Sequence, residues 1–214
     1  MAVQVKICGL NHPDALAAAV GGGARYVGFV FYPRSPRFVA PAQAAELARM
    51  VPTGVRVVGL LVDPDDAVLD AVAGAVPLDL LQLHGRESPD RVAEIRSRFA
   101  LPVMKAFGVS SAEDLAGVAQ FDGVADRLLF DAKPPATPDA LPGGNGVSFD
   151  WTLLAGRRWS RPWMLSGGLT VATLAQAVAE SGAGAVDVSS GVEDRPGVKS
   201  VAKVRAFLAL AATL

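Results

Sequence analysis

Apolar residues fall along this chain in short runs separated by longer mixed stretches. Eight runs are rich in β-branched or large apolar side chains, at residues 3–8, 26–31, 55–62, 78–83, 103–107, 127–131, 163–165 and 185–188. Runs that stay apolar, rather than alternating with polar residues, suit strands covered on both faces, as in a parallel sheet. Between them lie Ala/Leu-rich stretches with helical spacing and recognisable starts. Asn11-His12-Pro13-Asp14 predicts a first helix capped by Asn11 and stopped by Gly21-Gly22-Gly23. Pro41 opens a second helix reaching Met50, Asp63-Pro64-Asp65-Asp66 a third, and Ser88-Pro89-Asp90 a fourth. Ser110-Ser111-Ala112-Glu113 has a capping-box pattern and predicts a fifth helix. The sixth is reduced to a short piece around Trp151 and Leu154, Thr170 caps a seventh, and residues 201–212 supply the eighth.

Strands that alternate with helices build a parallel sheet. Eight such beats in 214 residues point to one (β/α)8 barrel spanning residues 1–214, somewhat shorter than the roughly 250 residues usual for that fold. A doubly wound open sheet is the alternative, but no Gly-x-Gly-x-x-Gly follows the first strand. The longest irregular segment, residues 133–146, is rich in Pro and Gly and reads as a long loop after strand six.

Composition narrows the chemistry. A formal net charge of −1 without a basic tract gives no electrostatic footprint for nucleic acid, so an anionic ligand would have to be held locally. One cysteine and two histidines leave little material for a metal site. No signal peptide or membrane span is legible, which makes the cytoplasm the expected compartment.

In a βα barrel the chemistry sits where the strands end. Those ends carry Lys6-Ile7-Cys8-Gly9, Ser35-Pro36-Arg37, Gln82-Leu83-His84-Gly85, Asp131-Ala132-Lys133, Ser166-Gly167-Gly168 and Asp187-Val188-Ser189-Ser190-Gly191. A lone strand cysteine is usually a small buried hydrophobe, an Asp at a strand end is often a helix cap, and a loop arginine is usually a surface charge. Asp131 runs into a proline-rich loop rather than a helix, which favours chemistry over capping. The glycine pairs after strands seven and eight could be ordinary turns. Adjacent to each other, they offer a cradle of backbone N–H groups suited to a phosphate. Lys6, Lys105 and Lys133 also stand near strand ends, so a Schiff-base lyase acting on a sugar phosphate is a competing reading. A non-catalytic phosphate-binding barrel is another.

Taken in order, these motifs resemble those of the phosphoribosylanthranilate isomerases. The resemblance runs from residue 5 to residue 199 and includes Gly28-Phe29-Val30-Phe31, Gly143-Gly144-Asn145-Gly146, Phe149-Asp150-Trp151 and Val192-Glu193. It implies an Amadori rearrangement of phosphoribosylanthranilate, a small-molecule substrate, without metal or cofactor and in a monomer or homodimer. By the same resemblance Cys8 is the general base and Asp131 the general acid, and Arg37 binds the anthranilate carboxylate. Gly144, Gly167, Gly168, Ser190 and Gly191 then bind the phosphate, and His84 and Asp187 are further substrate-binding residues. A related aminoaldose isomerisation would place a carboxylate where this chain has Cys8. The segment 133–142 is longer and richer in proline than is usual in the family, and Ser200 stands where Asp is common. The chemistry sets two requirements. Asp131 must stay partly protonated near neutral pH, and the Cys8 thiol should titrate below its ordinary range.

Overall fold

In the computed structural model, which describes residues 2–137 and 140–214, eight parallel strands close into a barrel. They are β1 (Gln4–Cys8), β2 (Tyr26–Val30), β3 (Arg56–Leu61), β4 (Leu80–Leu83), β5 (Val103–Val109), β6 (Arg127–Ala132), β7 (Trp163–Leu165) and β8 (Ala185–Val188). Each pairs with its successor, and β8 returns to β1 with Asp187 opposite Lys6. The (β/α)8 class expected from the hydrophobic pattern is the observed one.

Outward-facing strand residues such as Ile7, Val27, Phe29, Leu61, Leu81, Leu128 and Val186 join the helices in the main core. Inward-facing ones form a separate cluster of Tyr26, Val58, Leu80, Met104, Ala106, Leu129 and Met164. Above it lies a smaller group of Cys8, Val30 and Leu60. Both faces are dry because side chains alternate along each strand, and this is why the strands read as continuous apolar runs.

The helices are α1 (Pro13–Gly21), α2 (Pro41–Ala48), α3 (Asp66–Ala75), α4 (Pro89–Phe99), α5 (Leu174–Ser181) and α6 (Val201–Ala211). Three sequence expectations are corrected. The cap of α1 is His12, whose side chain accepts from the Asp14 amide, while Asn11 reaches across to the Gly197 carbonyl at 3.0 Å. The segment after β5 forms two 3-10 turns, Ala112–Leu115 and Val118–Phe121, instead of an α-helix. Its buried residues Leu115, Val118 and Phe121 recur every third position, and a three-residue turn aligns them on one face where an α-helix would splay them. The capping box does form, between Ser111 and Asp114. After β7, Thr170 and Thr173 exchange backbone-to-hydroxyl bonds in a turn, so α5 begins only at Leu174.

The sixth beat is the 3-10 turn Trp151–Leu154, as short as expected. The loop before it runs back over the barrel, except that Pro138 and Asp139 lie outside the described residues. Following β8, a 3-10 turn at Ser190–Val192 leads into a hairpin of β9 (Glu193–Arg195) and β10 (Val198–Lys199).

Candidate active site

A cavity lies at the C-terminal ends of the barrel strands. Cys8, Arg37, His84, Asp131, Gly144, Gly167, Gly168, Asp187 and Ser190 all line it. Of the residues that the family resemblance assigned to the site, Gly191 alone is not on its wall. It lies behind the wall, packed so tightly against the Leu169 carbonyl that a side chain would collide with it.

Cys8 and Asp131 end strands three apart round the barrel by the shorter route. Both are nearly enclosed, at 3% and 5% exposure. The Asp131 carboxylate accepts from the Ala132 amide at 2.9 Å through one oxygen, and its other oxygen is 3.3 Å from His84 Nε2. Behind His84, Nδ1 is 2.9 Å from the Gln82 side-chain amide nitrogen. With that amide donating to Nδ1, a neutral ring carries its proton on Nε2 and presents it to Asp131. Gln82 is fully buried, and its own carbonyl oxygen has no partner among the described residues. The turn after β7 closes against the same carboxylate. At Gly167 φ is +90°, and a Cβ there would stand 2.7 Å from the Ala132 nitrogen, so this corner requires glycine.

Burial pushes the Cys8 thiol up, and the neighbouring Lys6 cation offsets only part of that. The sequence requirement of a lowered thiol is therefore not met in the free enzyme, because desolvation of the thiolate outweighs the nearby positive charge. Lys6 lies one layer below. It is fully buried and donates to Asp187 at 2.9 Å.

Arg37 is not the surface charge that a loop arginine usually is. It is 5% exposed and forks onto Glu193, with Nε to Oε1 at 2.8 Å and Nη2 to Oε2 at 2.9 Å. Nη2 also donates to the Gly144 carbonyl at 3.1 Å, which draws the loop after β6 over the cavity. Lys199 pairs with the same Glu193 and donates to the Ser189 carbonyl at 3.0 Å. Burial opposes the Glu193 charge, but Arg37 and Lys199 outweigh it and hold this carboxyl below its usual range. Sequence reasoning assigned no role to Glu193 or Lys199. Their proximity to Arg37 follows from the hairpin after β8, which no local pattern announces.

Turn residues from two loops also line the cavity. Ser166, Gly167, Gly168 and Leu169 come from the loop after β7, and Ser189 and Ser190 from that after β8. Ser190 begins a 3-10 turn, and the first amides of a helical turn lack intrahelical acceptors. An anion can take them up. The candidate Schiff-base lysines are elsewhere. Lys105 points out of the barrel to Glu87 at 3.0 Å, and Lys133 is an exposed partner of Asp114. Among the described residues no lysine lines the cavity.

Residues 5–209 match the family model described as N-(5'-phosphoribosyl)anthranilate (PRA) isomerase. A relative so named from Rhodospirillum centenum is 68% identical over 214 residues, covering 100% of both chains. Another, from Paracoccus denitrificans, is 59% identical and covers 99% of this chain and 98% of its own. Among solved structures, phosphoribosyl anthranilate isomerase from Thermotoga maritima superposes with a TM-score of 0.88 at 36% identity, over 99% of this chain and 100% of the other. A phosphoribosyl anthranilate isomerase in complex with reduced 1-(o-carboxyphenylamino)-1-deoxyribulose 5-phosphate gives a TM-score of 0.83 at 33% identity, with the same coverage. The chain belongs to the N-(5'-phosphoribosyl)anthranilate isomerase family.

Proposed function

We propose that this barrel converts N-(5-phosphoribosyl)anthranilate into 1-(2-carboxyphenylamino)-1-deoxyribulose 5-phosphate, with Asp131 as general acid and Cys8 as general base. The observation that carries the reading is the meeting of both groups in one cavity with the glycine-built turns after β7 and β8. Asp131 gives its proton to the ribose ring oxygen, the C1–O bond breaks, and the nitrogen lone pair closes an iminium. Cys8, as thiolate, then takes the proton from C2. The electron pair of that C–H bond flows into the iminium and yields an enolamine, which tautomerises to the ketone. The steps are proton transfers, for which the two side chains suffice without metal or cofactor.

The remaining groups position the substrate. Turn amides around Gly144, Gly167, Gly168 and Ser190 hold the phosphate, while Gly191 supports them from behind. Arg37 faces the anthranilate carboxylate with the edge that Glu193 does not occupy. His84 orients Asp131, and Asp187 works from below the sugar. The relative solved with a reduced product supports a ligand of this class.

The same reading makes the chain one catalytic unit in the cytoplasm, as a monomer or a homodimer. No helix among the described residues is long and apolar enough to cross a membrane, and a related isomerase from Thermotoga maritima is described as dimeric. Light scattering after gel filtration distinguishes the two assemblies.

The test is the fluorescence decay of phosphoribosylanthranilate with wild type, Cys8→Ala and Asp131→Ala side by side. Each variant should lose about 10²–10⁴-fold in kcat while keeping its circular dichroism spectrum. Undiminished turnover by either variant removes that residue from the mechanism.

A further inference from the structure

Lys6 takes no part in the steps above, yet its side chain is fully buried inside the barrel. Around it the barrel interior is apolar, filled by Tyr26, Val58, Leu80, Met104, Leu129 and Met164. A lysine and an aspartate in such a layer are costly to desolvate, and apolar residues of similar volume often serve stability as well or better. Packing therefore does not explain the pair.

Its geometry relative to Cys8 does. Both residues lie on β1 two positions apart, so both point inward, Lys6 one layer beneath Cys8. The facing residue on β2 is Gly28, in register with Cys8. A Cβ at Gly28 would stand 3.1 Å from Lys6 Nζ and 3.2 Å from Cys8 Sγ. The ammonium and the sulfur thus converge on the gap that the glycine leaves. An ammonium carries three donors. One goes to Asp187 Oδ1 at 2.9 Å, and the sulfur of Cys8 stands near enough for its charge to act on the ammonium. Burial works against the Lys6 charge, but Asp187 and Cys8 outweigh it and hold the ammonium above its usual range.

We propose that Lys6 is a positioning residue for the reaction, its ammonium anchored by Asp187 and serving as the buried counter-ion of the Cys8 thiolate. This rests on the reading of Cys8 as the general base. Lys6 stays protonated while the sulfur cycles between thiolate and thiol. Asp187 has a double effect, because it fixes the ammonium but also repels the thiolate. The other charged groups facing Cys8 are Lys199, beyond Ser189 after β8, and, across the cavity, Arg37, His84 and Asp131. Lys199 also favours the thiolate, but burial opposes its own charge and leaves it below its usual range.

Cys8 is the single cysteine of the chain, so its titration can be read without turnover from the pH dependence of carboxamidomethylation by iodoacetamide. Lys6→Met should move the thiol's titration to higher pH and slow alkylation at neutral pH by about tenfold or more, one pH unit being tenfold in thiolate. Asp187→Asn should move it the other way, since the thiolate becomes the sole counter-ion of Lys6. A merely structural pair would give shifts of one sign, or none, and either result overturns the proposal. Should Lys6→Met fail to fold with Asp187 left unpaired, Lys6→Met/Asp187→Asn keeps the interior neutral. Comparison with Asp187→Asn then isolates Lys6, and equal alkylation rates in the two would again refute it. Turnover of Cys8→Ala separately tests whether the sulfur is the base, so the two ideas can fail independently.

Discussion

Arg37, Glu193 and Lys199 show how one residue's setting decides its use. A guanidinium forked on a carboxylate has little freedom, and Arg37 is held at both ends of Glu193. Glu193→Gln keeps the shape and leaves two buried cations without a countercharge, which should cost about 3–5 kcal/mol at neutral pH. The pH dependence has a definite sign. Glu193 is depressed in the folded state by Arg37 and Lys199 against the opposing effect of burial. Its stabilisation is therefore present above the ordinary glutamate range and is lost as pH falls through the lower folded value. Thermal midpoints recorded from neutral pH down to about pH 3 should fall more steeply for wild type than for Glu193→Gln. Parallel curves would mean that the ion pair adds nothing to stability.

Among the elements, β5 and the loops beside it depend on a buried clasp on the outer side of the barrel strands. Lys105 donates to the Gly85 carbonyl at 2.8 Å and the Ala106 carbonyl at 3.0 Å, and pairs with Glu87. Glu87 in turn accepts from the Gly85 and Asp63 amides. The loops after β3 and β4 are thus tied to β5, and the β4 loop carries His84. Lys105→Met should destabilise by about 3–5 kcal/mol in urea unfolding, because a charged Glu87 stays behind in the interior. Below the transition, folded enzyme should retain most of its kcat. A loss of kcat with unchanged stability would show that Lys105 acts in catalysis after all.

For the whole molecule, function depends on closure between chain ends far apart in sequence. Lys6 meets Asp187 across 181 positions, and Ser189 Oγ donates to the Cys8 carbonyl across the same separation. The seal over this seam is α6, which buries Val204, Phe207, Leu208 and Ala211 and packs on α1, α5 and β1. Three large apolar side chains at about 1.5–3 kcal/mol each match much of the 5–15 kcal/mol that holds a domain together. A chain ended after Lys199 should therefore bind a hydrophobic dye, lose its near-ultraviolet dichroism and show no turnover. A folded, active truncation would place the stability of the barrel elsewhere.

Much of this was legible in one dimension. Continuous apolar runs mark strands buried on two faces, and the polar residues that interrupt them mark the catalytic end, because alternation and burial act locally. Cys8, Asp131, Arg37 and the glycine turns are found that way, and the family resemblance supplies their roles. The expected fifth helix does not form, since a capping box specifies a helical start but not whether the turns after it are of three residues or 3.6. The linear pattern of residues is enough for the order of elements and for the rim residues available to a site. It took the closed fold to bring Asp187 onto Lys6, to share Arg37 with Glu193, and to raise rather than lower the Cys8 thiol. Those outcomes depend on register and desolvation around a closed barrel, where groups nearly two hundred residues apart become neighbours and burial is set by the whole fold.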